Sequence, residues 1–337
     1  MTRNRSASGD RFSPIAIREL ATAFQASRIF LTAYELRLFT VLGRGFRSSA
    51  SVARSLHTDP RATDRLLNAL CAIGLVVKEG NRFANSPAAA GYLREGEPGY
   101  MAGFLHTNSL WDTWSTLTTA VRQGKAVRRP GTNDRGAAWL GAFIAAMHDR
   151  AVKHAPGLVA MIGLEGVGKI LDVGGGSAAF SMAFLRAKKD LTVVLFDLPN
   201  VVPLARRYVR REGLTGRMSY ISGDYLRDDL GAGYDLVFLS AILHSNSPAE
   251  NRRLLKKCAA GLNPGGRVVV VDFIMDDDRV SPAHGAFFAL NMLVGTDAGD
   301  TYTESEIRSW MKEAGLGTTA RTDTPFGTSM ITGRRSK

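Results

Sequence analysis

The sequence predicts an α/β protein in which a doubly wound sheet follows a mainly helical N-terminal region. Short apolar runs alternate with segments of helical period from Lys169 onward, whereas residues 14–162 read as helices with one small hairpin. The first apolar run ends in three glycines, Gly174 to Gly176, and the second ends on Asp197. A strand that breaks into glycines before a helix brings backbone N–H groups close to a ligand, and a carboxylate after the next strand suits ribose hydroxyls.

The composition is that of a globular protein with a sizeable core. The chain has 337 residues, of which 45% are hydrophobic and 22% charged, and this length predicts two domains. Apolar stretches end well before the ~18 residues that a membrane span needs, and residues 1–10 lack an apolar signal core, so we expect a cytoplasmic protein. Cys71 and Cys258 lack neighbouring His or Cys ligands, so no disulfide framework and no metal site are predicted. The net charge of +12 is spread along the chain, which favours solubility over a nucleic-acid surface.

The N-terminal domain, predicted over residues 1–97, follows a helix, helix, helix, hairpin order. Ala33–Leu42 and Ser51–Leu56 have helical period, and Asp59-Pro60 opens a third helix that runs to Ile73. Residues 75–84 alternate around Gly80-Asn81, as in a hairpin. This order is that of a winged helix. Residues 98–162 continue as a helical linker or substrate-cap segment, and residues 163–337 form the sheet domain.

A winged helix binds DNA in some proteins and packs or dimerises in others. The third helix offers Arg61, Arg65 and Asn68 to base edges, but its other face is strongly apolar. Because few base-reading side chains are presented, a packing and dimerisation module is favoured, and nucleic acid is not expected as a partner.

The sheet domain contains five predicted strands separated by helices over 178–187, 201–212 and 248–262. The strands are 169–173, 192–196, 218–222, 234–239 and 267–272. Short right-handed crossovers make such strands parallel and bring their carboxyl ends to one rim. The residues at that rim are Gly174 to Gly176, Asp197, Gly223-Asp224, Ser240 to His244, and Asp272-Phe273.

Two cofactors compete for this rim. Gly174, Gly176 and Ala179, followed by Asp197, fit a dinucleotide fingerprint, which is weak evidence by itself. Asp172 at the glycine turn suits the ammonium of a methionine group better than a pyrophosphate, and Asp224 can accept from an adenine amino group. The charge balance therefore favours S-adenosylmethionine (SAM), with S-adenosylhomocysteine (SAH) as its product.

Several motifs, in this order and spacing, resemble one family over nearly the whole chain. They are Ile170-Leu-Asp-Val-Gly-Gly-Gly-Ser, Phe196-Asp-Leu-Pro, Gly223-Asp224, Gly233-Tyr-Asp-Leu-Val-Phe-Leu, Ile242-Leu-His and Leu262-Asn-Pro-Gly-Gly-Arg. The chain resembles the small-molecule O-methyltransferases typified by caffeic acid and hydroxyindole methyltransferases and by bacterial polyketide-tailoring enzymes. The resemblance implies an N-terminal winged-helix dimerisation domain, hence a homodimer, and a C-terminal class I methyltransferase fold, which is Rossmann-like.

The resemblance also implies roles for rim residues. His244 would be the general base that takes a proton from the acceptor hydroxyl, with Asp272 as the acid that accompanies it; an imidazole suits proton transfer near neutral pH. The predicted cofactor-binding residues share the sheet rim: Asp172, Gly174, Gly175, Gly176, Asp197, Leu198, Gly223, Asp224, Tyr225 and Ser240.

This chain departs from the family pattern around the base. His244-Ser245-Asn246 replaces His-Asp-Trp, and Thr301 aligns with the second orienting acid unless Asp300 takes its place by a small shift. Ala178 stands where the family has glycine. A histidine without an acidic orienter takes either tautomer, so His244 as a polar positioning residue remains the alternative to His244 as base.

The acceptor pocket is the least specific prediction. Flat aromatic acceptors stack on aromatic side chains, but an aromatic stripe on a helix is more often core. Candidate acceptor residues are Met147, His148, Trp111, Asn291, Met292 and Tyr302, with His106, Trp114 and Phe143 as further aromatic positions.

The sequence thus predicts a SAM-dependent methyltransferase that acts on a hydroxyl of a small, aromatic natural product by in-line displacement. A C- or N-methyltransferase on the same scaffold, an NAD dehydrogenase, and a winged-helix regulator that senses a ligand with a non-catalytic domain remain as alternatives.

Overall fold

A computed structural model describes residues 13–127, 136–319 and 321–336. The chain divides into two compact units, Met1–Asn108 and Ser109–Lys337. The predicted three-part division, with 98–162 as a separate cap, stays a prediction.

The first unit is a helical domain with a small antiparallel sheet. Its helices are α1 (Pro14–Thr22), α2 (Phe24–Glu35), α3 (Leu38–Leu42), α4 (Ser49–Leu56), α5 (Pro60–Ala72) and α6 (Pro87–Tyr92). Its strands are β1 (Arg47–Ser48), β2 (Val76–Glu79) and β3 (Arg82–Asn85), in the order β1-β3-β2. Asp59 caps α5 by accepting from the backbone N–H of Ala62 at 2.8 Å, and Pro60 occupies the first turn, as the sequence predicts.

The predicted helix Ala33–Leu42 is wrong as a continuous element. Arg37 adopts φ 56°, a left-handed conformation that ends one helix and starts the next. The break turns Leu38, Phe39 and Leu42 into the core of the unit, where each is at most 1% exposed. Helical period persists across the break, so the sequence carried no signal for it.

The second unit is a sheet covered by helices. The helices are α7 (Phe104–Trp114, which begins in the first unit), α8 (Leu117–Gln123), α9 (Gly136–Ile162), α10 (Ala179–Ala187), α11 (Val202–Arg211), α12 (Pro248–Ala260), α13 (Ala283–Gly295) and α14 (Glu304–Glu313). The strands are β4 (Lys169–Val173), β5 (Thr192–Asp197), β6 (Met218–Ser222), β7 (Tyr234–Ser240), β8 (Leu262–Asp272), β9 (Leu316–Thr318), β10 (Thr322–Asp323) and β11 (Ser329–Arg335).

The sheet order in the described part of the chain is β10-β11-β8-β7-β4-β5-β6, with β9 paired to β11. The five predicted strands are parallel, as expected. The chain leaves β4 toward β5 and β6 and then crosses back to β7, so the order reverses between β4 and β7. A crevice outside the carboxyl ends at such a reversal is the usual ligand site of open α/β sheets.

The C-terminal edge departs from the predicted parallel sheet. β11 runs antiparallel to β8 and pairs Ile331 with Val270, while β9 and β10 pair antiparallel with β11. β8 also begins at Leu262, where the sequence predicts the end of a helix. The sheet core is apolar on both faces: Leu171 and Val270 on one face, and Ile170 and Val269 on the other, are at most 1% exposed.

Among the described residues, no helix is long and apolar enough to cross a membrane. The cytoplasmic location stays a prediction.

Candidate functional site

The glycine turn after β4 is shaped by close contacts that exclude side chains. Gly174 and Gly176 have φ of 66° and 56°, and a Cβ on Gly174 would collide with the Ile242 side chain from the loop after β7. A Cβ on Gly175 would lie 2.8 Å from Leu195 and 2.9 Å from the Asp172 carboxylate. Only glycine therefore fits at residues 174 and 175, and Gly176 keeps an open backbone, with its nearest neighbour, Ile144, 3.8 Å from an added Cβ.

Ala178 adopts a left-handed backbone conformation that favours glycine, the residue that the family pattern has here. It precedes α10 with φ 65° and is fully buried. An alanine in this region is strained by roughly 1–2 kcal/mol.

Asp172 and Asp197 are buried carboxylates at this turn. Asp172 accepts from Ser181 Oγ at 2.5 Å, and burial raises its pKa from 3.8 to about 7. Asp197 accepts from the backbone N–H groups of Gly176 at 2.8 Å and Leu198 at 2.7 Å, and burial raises its pKa to about 6. Both carboxylates lack an ion-pair partner among the described residues.

A third carboxylate lies after β6. Asp224 is half-buried and accepts from the backbone N–H of Leu226 at 2.9 Å. Gly223 precedes it, and a Cβ there would meet Asp228 and Phe196 at 2.7 and 2.9 Å. Burial raises the pKa of the neighbouring Tyr225, whose phenol donates to Asn246 at 3.0 Å.

These groups fit SAM and do not fit a pyrophosphate. Asp172 and Asp197 lie at the glycine turn, Asp224 follows β6, and the first two have no cationic partner in the part of the chain that the structure describes. A doubly charged phosphate bridge would be repelled there, whereas an ammonium and a sulfonium would be attracted. Asp197 lies one strand from the glycine turn, and Leu198 beside it packs on the cluster of Leu140, Ile144 and Val201. The NAD alternative is therefore disfavoured by the charges of the crevice.

His244 and Asp272 meet at the ends of the adjacent strands β7 and β8. Nδ1 of His244 lies 2.7 Å from Oδ1 of Asp272, and the backbone N–H of His244 donates to Oδ2 at 3.3 Å. Both residues are buried, at 9% and 4% exposure. An ionised carboxylate only accepts, so the proton sits on Nδ1 and leaves Nε2 as an acceptor.

Neither candidate for a second orienting acid reaches the imidazole. The Thr301 hydroxyl is buried and donates to the Gly285 carbonyl at 3.3 Å. The Asp300 carboxylate faces Arg279 at 3.6 Å, while its backbone N–H donates to the His244 carbonyl at 3.0 Å. Among the described residues, Asp272 is thus the one carboxylate paired with His244.

A buried amide network holds the turn that carries His244. Asn246 Nδ2 donates to Asn251 Oδ1 at 3.1 Å, and Asn251 Nδ2 donates to the Leu243 carbonyl at 2.9 Å. The Tyr302 phenol donates to the Asn246 carbonyl. The sequence analysis did not predict this network. The one feature that could have indicated it is Asn246, a polar residue in place of the family's tryptophan.

The predicted acceptor residues fall in different places. His148, on α9, lies 2.9 Å from Ser177 Oγ and stacks on Tyr208 at 4.1 Å, and burial lowers its pKa. Its observed contacts are thus with the glycine turn. Met147, the preceding residue, is half-buried.

The remaining candidates lie on α7, α13 and the segment after it. Trp114 Nε1 donates to Asn291 Oδ1 at 3.0 Å, and Trp111 is half-buried on the same helix as Trp114. Met292 and Tyr302 are buried, at 7% and 3% exposure. Tyr302 packs edge-on against a core tryptophan, so its observed contacts are those of a support for the His244 turn.

Ser240, a predicted cofactor-binding residue, is the last residue of β7 and is half-buried, and the next residue, Ala241, has φ 57°.

The described residues contain no group of three or more His, Cys, Asp or Glu side chains arranged to hold a metal ion.

Comparison with known proteins covers both units. A family model described as the O-methyltransferase domain matches residues 114–317, and one described as the O-methyltransferase dimerisation domain matches residues 18–95. The chain is 32% identical over 328 residues to 3-hydroxy-5-methyl-1-naphthoate 3-O-methyltransferase of Streptomyces sahachiroi, covering 95% of each protein. It is 32% identical over 314 residues to the tetracenomycin polyketide synthesis 8-O-methyl transferase TcmO of Streptomyces glaucescens, covering 90% of this chain and 91% of the relative.

The fold is also that of a solved relative. Human N-acetylserotonin methyltransferase in complex with SAM superposes with a TM-score of 0.84 at 21% identity, covering 98% of this chain and 100% of that one. This likeness concerns the fold. With the family models and the acidic glycine crevice, it leads to one conclusion: the chain belongs to the O-methyltransferase family and is a SAM-dependent O-methyltransferase with an N-terminal dimerisation domain.

Proposed function

We propose that this enzyme methylates a hydroxyl group of a small aromatic natural product, with Nε2 of His244 as the general base. The observation that supports this role is the 2.7 Å contact between His244 Nδ1 and Asp272. The carboxylate fixes the tautomer, orients the ring and stabilises the imidazolium that forms when Nε2 takes the acceptor proton. Asp272, the acid that the resemblance implies after the fifth predicted strand, thus orients the imidazole although the acid next to the histidine in sequence is absent.

The chain's own residues then perform binding, orientation and proton transfer. When bound, SAM supplies a methyl group on a sulfonium, which an oxygen displaces in line. Asp172 would hold the ammonium, Asp197 the ribose hydroxyls, and Asp224 with Tyr225 the adenine edge, while the glycine turn admits the methionine part. Phe288 packs edge-on to the His244 ring at 4.9 Å and keeps water from the base. An apolar site favours a reaction in which charge is neutralised.

The acceptor class is proposed from the relatives and from the site. The two Streptomyces relatives are named for a hydroxynaphthoate and for tetracenomycin polyketide synthesis. Phe288, which is half-buried and packs on Phe273 next to the base, provides an aromatic surface for a flat ring system.

The alternatives lack comparable support. A neutral amine attacks without prior loss of a proton, so a buried His–Asp pair is expected for a hydroxyl acceptor rather than for an amine. In the first unit, Asn68 donates to Asp64 and accepts from Lys78 at 2.8 Å, so its amide is already engaged within the protein. Because this amide is engaged, α5 is less suited to contact DNA bases, and the alternative of a DNA-binding regulator is disfavoured.

A panel of hydroxyarenes, with SAH formation and the product's methyl position read by mass spectrometry and NMR, tests the reaction. His244→Gln is expected to lower kcat by roughly 100-fold or more with SAH affinity unchanged, since general bases contribute about 10²–10⁴. His154→Gln is the matched control, because this imidazole stacks on Phe326 outside the site. Full activity of His244→Gln would refute His244 as the general base. Methyl transfer to carbon or nitrogen would refute a hydroxyl as the acceptor group.

We also propose that the dimerisation domain forms a homodimer through α1. Ile15, Ile17 and Leu20 are 69%, 55% and 65% exposed, and α1 has no buried residue. The match to the dimerisation domain begins at residue 18, within this helix, so a second copy of the chain is the occupant we propose for the apolar face.

A further inference from the structure

Two phenylalanine rings, Phe288 and Phe273, pack beside the His244 imidazole in the second unit. The Phe288 ring packs edge-on to the imidazole at 4.9 Å, and Phe273 packs on Phe288 with ring centroids 4.2 Å apart. The Phe273 ring is itself 6.1 Å from the imidazole. These rings offer a continuous apolar wall beside the proposed base.

A cation lies at the far end of this wall. The guanidinium carbon of Arg150, on α9, lies 5.2 Å from the centroid of Phe273. Since Phe273 is also 6.1 Å from the imidazole, the cation is no more than roughly 11 Å from the His244 ring. Arg150 follows Met147 by one helical turn, so both share a face of α9.

The Arg150 guanidinium is not paired with any carboxylate of the described residues. Among the described residues it forms no ion pair and no hydrogen bond, and the side chain is exposed. Arg252, which also packs on an aromatic ring, has a carboxylate from Glu313 at 3.2 Å. A guanidinium that rests on a ring face still presents its N–H edge, and that edge matches a carboxylate in a two-point contact.

We propose that Arg150 binds a carboxylate of the acceptor, so that the preferred substrates are hydroxyarenes that carry a carboxylate on the same ring system as the reacting hydroxyl. This inference rests on the proposed function. Asp172 and Asp197, at the glycine turn, repel an anion. A carboxylated acceptor therefore binds in one orientation, with its anion at Arg150, its rings beside Phe288 and its hydroxyl at His244.

Matched acceptors test the inference. The probes are 3-hydroxy-1-naphthoate and 3-hydroxy-1-naphthamide, which differ in charge and hardly in shape. The wild type is expected to show a kcat/KM at least about 10-fold higher for the acid, because hydrogen bonds to charged groups contribute roughly 1.5–3 kcal/mol. Arg150→Gln should raise KM for the acid by about the same factor and leave the amide within about twofold, and Arg150→Lys should restore part of the preference.

Arg206→Gln is the control, because Arg206, on α11, also packs its guanidinium on an aromatic ring, 4.4 Å from the centroid of Tyr220. This substitution should leave kcat/KM unchanged for both the acid and the amide. Equal kcat/KM for acid and amide in the wild type overturns the proposal, as does an equal loss for both probes in Arg150→Gln, which would indicate a structural role.

Calorimetry of both probes binding to the SAH-loaded protein tests the carboxylate site at Arg150 separately from the proposed methylation reaction. If neither probe is methylated but the acid still binds about 10-fold more tightly in an Arg150-dependent manner, the carboxylate site stands and the proposed reaction fails. If the acid and the amide bind equally, or neither binds, the carboxylate site is overturned.

Discussion

Asp172→Asn is expected to stabilise the SAM-free protein at alkaline pH while weakening its cofactor affinity. Asp172 is buried at 2% exposure, and burial raises its pKa from 3.8 to about 7. At about 1.36 kcal/mol per tenfold change in proton affinity, ionised Asp172 is disfavoured in the folded protein by roughly 4 kcal/mol. Asparagine keeps an acceptor for Ser181 and removes the charge.

The pH dependence has a definite sign. Because the folded-state pKa is raised, the folded protein binds this proton more tightly than the unfolded chain. The contribution to stability is therefore fully present below about pH 4 and is lost as pH rises through about 7. The stability advantage of Asp172→Asn should increase with pH, by roughly 2 kcal/mol between about pH 5.5 and about pH 8.

Urea unfolding at both pH values measures this difference, and calorimetry with SAH at the higher pH measures the lost ammonium contact. SAH should bind Asp172→Asn at least about 10-fold more weakly, since a charge-assisted hydrogen bond contributes roughly 1.5–3 kcal/mol. Asp190→Asn is the matched control, because this carboxylate is 76% exposed and should show neither effect. A stability difference that is flat with pH, or an Asp172→Asn protein less stable than the wild type at about pH 8, would refute the reasoning.

The remaining predictions concern the base, its support and the dimer. Asp272→Asn should lower kcat by at least about 10-fold with little change in SAH affinity, because the imidazole loses its anionic partner; an unchanged kcat contradicts the His–Asp pair. Asn251→Ala, which unpairs a buried amide and a carbonyl of the His244 turn, should lower the free energy of unfolding by roughly 1–3 kcal/mol, measured in urea. Leu20→Glu should give monomers by light scattering, whereas exposed Glu19→Gln should leave the dimer intact; a dimeric Leu20→Glu protein would exclude α1 as the interface.

The sequence predicted the parallel half of the sheet well because its signals are local. Each of the five strands is a short run with a turn residue at its end, and four of them are mostly buried, whereas β6 at the sheet edge is only partly buried. The proximity of His244 and Asp272 also follows from the sequence, since both come just after strands that are neighbours in a doubly wound order.

The antiparallel edge was not predictable in the same way. β11 contains Gly333 and ends in two arginines, so its pattern is not that of a strand, and it is buried because β8 pairs with it over six residues. The partners of Ser181 and Asn251 were equally hidden, because a hydrogen bond between distant helices and loops leaves no periodic trace in either segment.

The departures from the family pattern also have a common physical basis. The turn after β7 lacks the acid and the tryptophan expected beside His244; the pair with Asp272, the acid expected after β8, is present, and an amide network that includes Asn246 holds the turn. The same turn places Ile242 against Gly174, so the loop that carries the proposed base also shapes the cofactor turn. A substitution that enlarges residue 174 should therefore displace Ile242, and through it the proposed base, so cofactor binding and proton transfer are expected to fail together.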